Sequence, residues 1–203
     1  MQVNKILTNY NNNYYIQKPI FKSNAAAKAL KTTNIGAMPN GFIGKVKTIK
    51  ANGTEAMLNL TKSTYHQYEI YEFTDDYENI IGSIQFRFNK YTHKYGDDKD
   101  HVFVSELRNF SNPNTPYYKK GLEEYKHIGT KLLQLAQMRS FENNCDGNIE
   151  LVAKNRKEVL DFYKNLGFVQ AENIGLFGNP YRLSLSSEAM DTFANKYGGL
   201  IIL

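Results

Sequence analysis

The chain has one cysteine, Cys145, no tryptophan, and no acidic residue among its first 50 positions. A single thiol forms no intrachain disulfide and cannot supply a cysteine-based metal site, which fits a reducing compartment. No stretch approaches the roughly 18 apolar residues of a membrane span. The opening segment MQVNKILTNYNNNYYIQKPIF has neither the continuous apolar run of a secretory signal nor the arginines of an organellar transit peptide. The expectation is a soluble, cytoplasmic protein with no membrane partner.

What is present points to a packed globule. With 15 Tyr, 12 Phe and 41% hydrophobic residues, the 203-residue chain has enough apolar material for one buried core and a tail. Its formal charge of +5 is unevenly placed, because residues 1–50 hold eight lysines. The remainder holds 17 Lys and Arg against 20 Asp and Glu, a formal charge of −3. A nucleic-acid-binding domain carries its positive field on the folded face that meets phosphate, so this distribution argues against a nucleic-acid partner.

Residues 1–40 are rich in Asn, Lys and Tyr and have no sustained period, so they read as a flexible basic arm preceding a domain at 41–203. From Gly41 the pattern is that of strands: Phe42–Ile49, Ala56–Leu60, Tyr68–Phe73 and Ile80–Phe88, separated by turn signals such as Asn52-Gly53, form an expected antiparallel meander. A further strand is expected at His101–Asn109. Ile128, Leu132, Leu135, Ala136 and Arg139 then recur at helical spacing and predict an amphipathic helix over 127–142. Asn148–Ala153 reads as a strand, Val159, Phe162, Tyr163 and Leu166 as a second helix closed by Gly167, and Phe168–Ala171 with Tyr181–Leu185 as the last strands.

Two segments carry chemistry. HIGTKLLQLA (127–136) and NRKEVLDFYKNLGF (155–168) resemble the cofactor motif and the following helix-to-strand motif of the GNAT N-acetyltransferases, and with the upstream strands the resemblance covers about residues 65–186. It implies an α+β fold, a mixed and mostly antiparallel sheet flanked by helices, splayed between the strands at 101–109 and 148–153 with acyl-CoA in the gap. The physical basis of the first motif is anion binding. A helix start offers unpaired N–H groups and partial positive charge, and Gly129 lets a pyrophosphate approach the backbone. The resemblance therefore implies that His127, Ile128, Gly129, Thr130 and Lys131 hold the pyrophosphate, and that Leu107 and Asn109 on the preceding strand hold the pantetheine arm. Asn155 matches the family asparagine near that arm; with Glu158 it also reads as a capping pair for the second helix.

Tyr163 matches the family tyrosine that protonates the departing thiolate. The chemistry needs such a donor, since amine attack on a thioester expels a thiolate whose conjugate thiol has a pKa of about 8.5. Glu106, on the strand that bears a general base in some relatives, is the candidate base. The chain departs from the family in having Glu124 and His127 where Arg or Gln and the first Gly are usual, and in an apparent insertion, FSNPNTPYYKKGLEEY (110–125). A protonated His127 would offset the Glu124 charge. The implied function is an enzyme, an N-acetyltransferase that moves an acetyl group from acetyl-CoA to a primary amine of a protein or small molecule, working as a monomer or homodimer. The alternative is a non-catalytic CoA-binding protein of the same fold, or a nucleic-acid or ribosome-associated protein.

Overall fold

Alternation of apolar and polar residues drives the first half of the chain into strands whose apolar sides share one face of a sheet. The computed structural model describes residues 34–89, 100–171 and 179–203. The meander consists of β1 (Gly41–Lys50), β2 (Glu55–Tyr65), β3 (Tyr68–Thr74), β4 (Ile80–Asn89) and β5 (His101–Asn109). Then follow β6 (Tyr125–Lys126), α1 (Ile128–Glu142), β7 (Ile149–Val152), α2 (Lys157–Asn165), β8 (Phe168–Gln170), β9 (Arg182–Leu185) and α3 (Met190–Asn195). Together the strands form one sheet in the order β6-β1-β2-β3-β4-β5-β7-β9-β8. All neighbouring pairs are antiparallel except β5 and β7.

The expected strands, the two helices and the single mixed sheet are all present. Register explains the core: Leu60 lies opposite Phe73 and Tyr71 opposite Ile84, so these side chains stack on the face that α1 covers. Gly82 makes the close approach possible, because a Cβ there would sit 2.5 Å from Ile128 Cγ2 and 3.2 Å from Arg108 O. The α1 start therefore rests directly on β4.

One irregularity sets the geometry of the second half. Phe86 pairs with Val104 but Gln85 pairs with Glu106, which leaves Ser105 as an extra residue in β5. Such a bulge bends its strand and increases the local twist. It falls where β5 leaves β7, since the parallel pairing runs only from Val102–Ile149 to Val104–Leu151. The bulge also resets the alternation. Without it Glu106 would oppose Ile84 on the apolar face; with it Leu107 takes that place and Glu106 joins Gln85 on the other face.

The expectation of an amphipathic α1 is corrected. Every residue from Thr130 to Ser140 is buried, because residues 190–203 cross the helix on the side away from the sheet. Polar side chains of α1 hold that segment: Gln134 Nε2 donates to Phe193 O and Lys196 O, both at 2.9 Å, Gln137 Nε2 to Met190 O at 3.1 Å, and Lys131 Nζ to Gly199 O at 2.7 Å. The chain end then pairs with β1, where Lys45 and Leu203 exchange backbone hydrogen bonds. Near the other end of α1, Arg139 forms a bidentate pair with Glu69 at 2.7 and 2.8 Å and also contacts Glu142.

Of the expected arm at 1–40, residues 1–33 lie outside the described residues. Residues 34–40 are described, and Ile35 is 1% exposed. Its N–H and that of Gly36 donate to the Glu142 carboxylate, while the buried Lys62 Nζ donates to Gly36 O at 2.6 Å and Met38 O at 3.1 Å. This strap is tested by comparing chains that start at residue 34 and at residue 41. A start at residue 41 strips Ile35 from the core and leaves the Lys62 ammonium without these acceptors, an expected loss of about 2 kcal/mol or more. That is roughly 4–8 °C for a chain of this size, read by calorimetry on the two truncations.

Candidate functional site

Where β5 and β7 part, a cleft of about 720 Å³ opens and runs to the start of α1. The resemblance-based residues Glu106, Leu107, Asn109, His127, Ile128, Gly129, Thr130 and Tyr163 all line it. Segments far apart in sequence meet here because the bulge turns the end of β5 outward, β6 hooks the chain back to β1, and α1 begins at once after β6.

His127 is the N-cap of α1 and adopts a left-handed backbone (φ 62°, ψ 16°), with no side-chain cap. The first intrahelical bond is Lys131 N–H to His127 O at 2.9 Å. The N–H groups of Ile128, Gly129 and Thr130 consequently have no acceptor within the helix. At Gly129 an added Cβ would lie 3.3 Å from Phe162 Cζ, so the absent side chain also lets α2 lean against the helix start. Lys131 departs from the expectation. Its side chain turns to Gly199 O, it does not line the cleft, and burial pushes its ammonium below the ordinary lysine range.

Asn155 is also displaced from its expected place. The N-cap of α2 is Arg156, with no side-chain cap, and Asn155 is not among the cleft-lining residues, whereas Arg156 and Glu158 are. The expected Asn155–Glu158 capping pair is therefore replaced by an extended Arg156. Asn109 lines the cleft, but its Oδ1 accepts from Ser111 N–H and Oγ, both at 3.1 Å, and so turns the chain out of β5. The carboxylate of Glu106 receives the Arg108 guanidinium.

Tyr163 is 8% exposed, with its ring edge-on to Phe162 and Phe168. Burial, then the neighbouring Tyr117, pushes its phenol up to about 12. A group so placed stays protonated near neutrality and is a weaker acid than an ordinary phenol. Tyr117 comes from the apparent insertion at 110–125, which forms one wall of the cleft through Asn112, Asn114, Thr115, Pro116 and Tyr117. Lys154 Nζ donates to the Tyr117 hydroxyl at 3.2 Å and lies 5.0 Å from its ring centroid.

Sequence reasoning did not find Tyr117, Lys154 or Tyr197 at this site. Tyr197 stacks on His127 with ring centroids 3.6 Å apart and planes at 12°. No local pattern signals that contact, which depends on the C-terminal segment crossing α1. A second depression, of about 670 Å³, lies beside β1 and β2. Its lysines meet acids, Lys47 with Glu55 at 2.5 Å and Lys50 with Glu123 at 2.8 Å, and it holds none of the expected residues. Among the described residues, no cluster of His, Cys, Asp and Glu could hold a metal ion, and no helix is long and apolar enough to cross a membrane.

No protein-family model and no curated protein matches the chain. Solved structures similar to it include AtaTR bound with AcCoA, at 13% identity and a TM-score of 0.42, with 62% of this chain and 71% of that one covered. Tetrahymena GCN5 has 14% identity and a TM-score of 0.39, with 59% and 68% covered. Nourseothricin acetyltransferase has 15% and 0.38, with 78% and 89% covered. In this chain the parallel β5 and β7 part over the start of α1, as the resemblance implied. The chain is thus a mixed, mostly antiparallel sheet flanked by helices.

The cleft disfavours the charged His127 that would offset Glu124. Burial first, then the charges of Lys131 and Lys126, hold the imidazole below its ordinary value of 6.5. The neutral imidazole is thus favoured at pH 7, and the positive potential at the helix start comes from backbone N–H groups and the neighbouring lysines. In an NMR titration the His127 ring should show its midpoint below 6.5. A midpoint at or above that value would mean that the ring is not held as described.

Proposed function

We propose that the protein is an acyl-CoA-dependent N-acyltransferase that transfers an acetyl group from acetyl-CoA to a primary amine. The observation that carries this reading is the single cleft joining the β5/β7 gap, the open start of α1 and the buried Tyr163. An acyl-CoA fits that arrangement. Its pyrophosphate takes the N–H groups of Ile128, Gly129 and Thr130, and its pantetheine runs along β5 past Leu107 and Asn109. Main-chain N–H groups freed where β5 parts from β7 polarise the thioester carbonyl.

The acceptor amine attacks that carbonyl in a ternary complex, so the N–C bond forms and the C–S bond breaks without a covalent enzyme intermediate. The acceptor ammonium must first lose a proton. Glu106 is the candidate recipient, and because its carboxylate already holds Arg108, a bridging water is the proposed route. The thiolate takes the phenolic proton of Tyr163, and the second proton of the attacking nitrogen, made acidic as the N–C bond forms, passes back to the phenolate, so the phenol relays a proton and ends unchanged. A protein terminus, a lysine or a small amine could each serve as acceptor.

Two measurements test the reading. Gly129→Val places a branched side chain against Phe162 and over the free N–H groups, so calorimetric affinity for CoA should fall by about tenfold or more while the melting curve stays cooperative. Unchanged CoA binding by that folded variant would remove the phosphates from the start of α1.

The second is Tyr163→Phe, which keeps the ring among Phe162 and Phe168 and deletes only the hydroxyl. With proton transfer from a positioned group contributing about 10²- to 10⁴-fold, turnover in an acetyl-transfer assay on an amine panel should fall at least about tenfold. CoA affinity should hold. A variant with wild-type turnover would assign the proton to another donor.

A further inference from the structure

The stacked pair at the α1 end of the cleft is not used by the chemistry above. Tyr197 lines the cleft, is 49% exposed, and lies with one ring face against His127. Both residues have left-handed backbones, φ 53° at Tyr197 and 62° at His127. Asn, Asp and His are the non-glycine residues enriched there, so Tyr197 is the uncommon case, and such a conformation persists where surrounding contacts over-determine it. Those contacts are present. Gln134 Nε2 donates to Lys196 O at 2.9 Å and Lys131 Nζ to Gly199 O at 2.7 Å, so buried donors of α1 brace the turn on both sides of Tyr197.

That amounts to a rigid, half-exposed aromatic surface next to the helix start. One face is backed by a neutral imidazole, and the Lys196 ammonium lies 5.7 Å from the ring centroid. Flat π-surfaces held in this way bind nucleobases by stacking, with little sequence of hydrogen bonds required. Resting on the acyl-CoA reading, we propose that Tyr197, backed by His127, is the platform on which the adenine ring of the acyl-CoA stacks, so that the C-terminal segment forms the nucleotide end of the binding site. The pyrophosphate at Ile128–Thr130 sits next to the platform in the chain, which puts the adenosine within reach of it.

The test uses the full chain and calorimetry with two ligands, CoA and 4′-phosphopantetheine, which lacks the adenosine together with its 3′-phosphate and one phosphate of the pyrophosphate. The wild type should bind CoA more tightly than phosphopantetheine. Tyr197→Leu should weaken CoA by about fivefold or more, the lower range of base–aromatic stacking. It should leave phosphopantetheine affinity unchanged, and Tyr197→Phe should retain wild-type affinity for both. Equal weakening of both ligands would show that the turn acts through the helix start and would overturn the platform. CoA affinity indifferent to Tyr197→Leu would overturn it too, while leaving the acyl-CoA reading intact. If Tyr197→Leu does not fold, Tyr197→Asn, a residue that adopts the left-handed backbone readily, replaces it with the same expected outcomes. Should the wild type bind neither ligand, the acyl-CoA reading itself fails and the platform with it.

Discussion

The structure turns on the burial of α1 with its polar side chains attached. Lys131, Gln134, Gln137, Arg139 and Ser140 are each 6% exposed or less. An unmet donor in such a place costs about 1–3 kcal/mol, and more if charged. Each therefore dictates a neighbour. Gln134, Gln137 and Lys131 require carbonyls of residues 190–199, Ser140 requires Asn148 O at 2.9 Å, and Arg139 requires Glu69 and Glu142. Removing any one partner leaves a buried group stranded, so the helix, the C-terminal segment and the strand that follow are specified together.

The same requirement reaches the N-terminal side through a continuous network. Tyr71 donates to Glu69, Glu69 holds Arg139, Arg139 contacts Glu142, and Glu142 accepts the N–H groups of Ile35 and Gly36. A buried guanidinium with two carboxylates is stable only when its hydrogen bonds are complete. The strap at 34–38 completes them. Fixing α1 at both ends in this manner also fixes where its first turn lies, over Gly82 and facing the gap that the Ser105 bulge opens between β5 and β7.

These two constraints explain what could be read from the sequence. The strands were legible because one sheet face is buried and the other is not, which writes period two into segments such as Leu58, Leu60 and Lys62. His101–Asn109 matches its predicted span, and the α1 start was legible from His127-Ile128-Gly129. The bulge at Ser105 leaves no composition signal, as Ser-Glu-Leu fits an ordinary strand equally well. Residues 190–203 were unread because α3 is too short to show a period, and its role is to offer carbonyls, which every residue has. Asn155 looked like the α2 cap because Asn-x-x-Glu is a capping pattern, yet the chain remains extended through Arg156 on leaving β7 and the helix begins later. Within the site, backbone positions and Tyr163 were legible. Tyr117, Lys154 and Tyr197 were not, since each arrives from a segment whose path is set by tertiary contacts.

Burial also decides the charge logic of the cleft. It raises the Tyr163 phenol to about 12 and lowers His127 and Lys131, so all three shifts favour the neutral form. Lys126, Lys154 and Arg156 also line the cleft, so cationic side chains add to the potential of the helix start, while Glu106 is held by Arg108. An anion at the helix start would meet the oriented N–H groups of Ile128, Gly129 and Thr130 there. Fixed dipoles in a partly enclosed site are screened less by salt than mobile surface charges. A helix start that takes part of its field from the backbone can thus tolerate Glu124 and a neutral His127, the two residues at which the cradle departs from the family pattern.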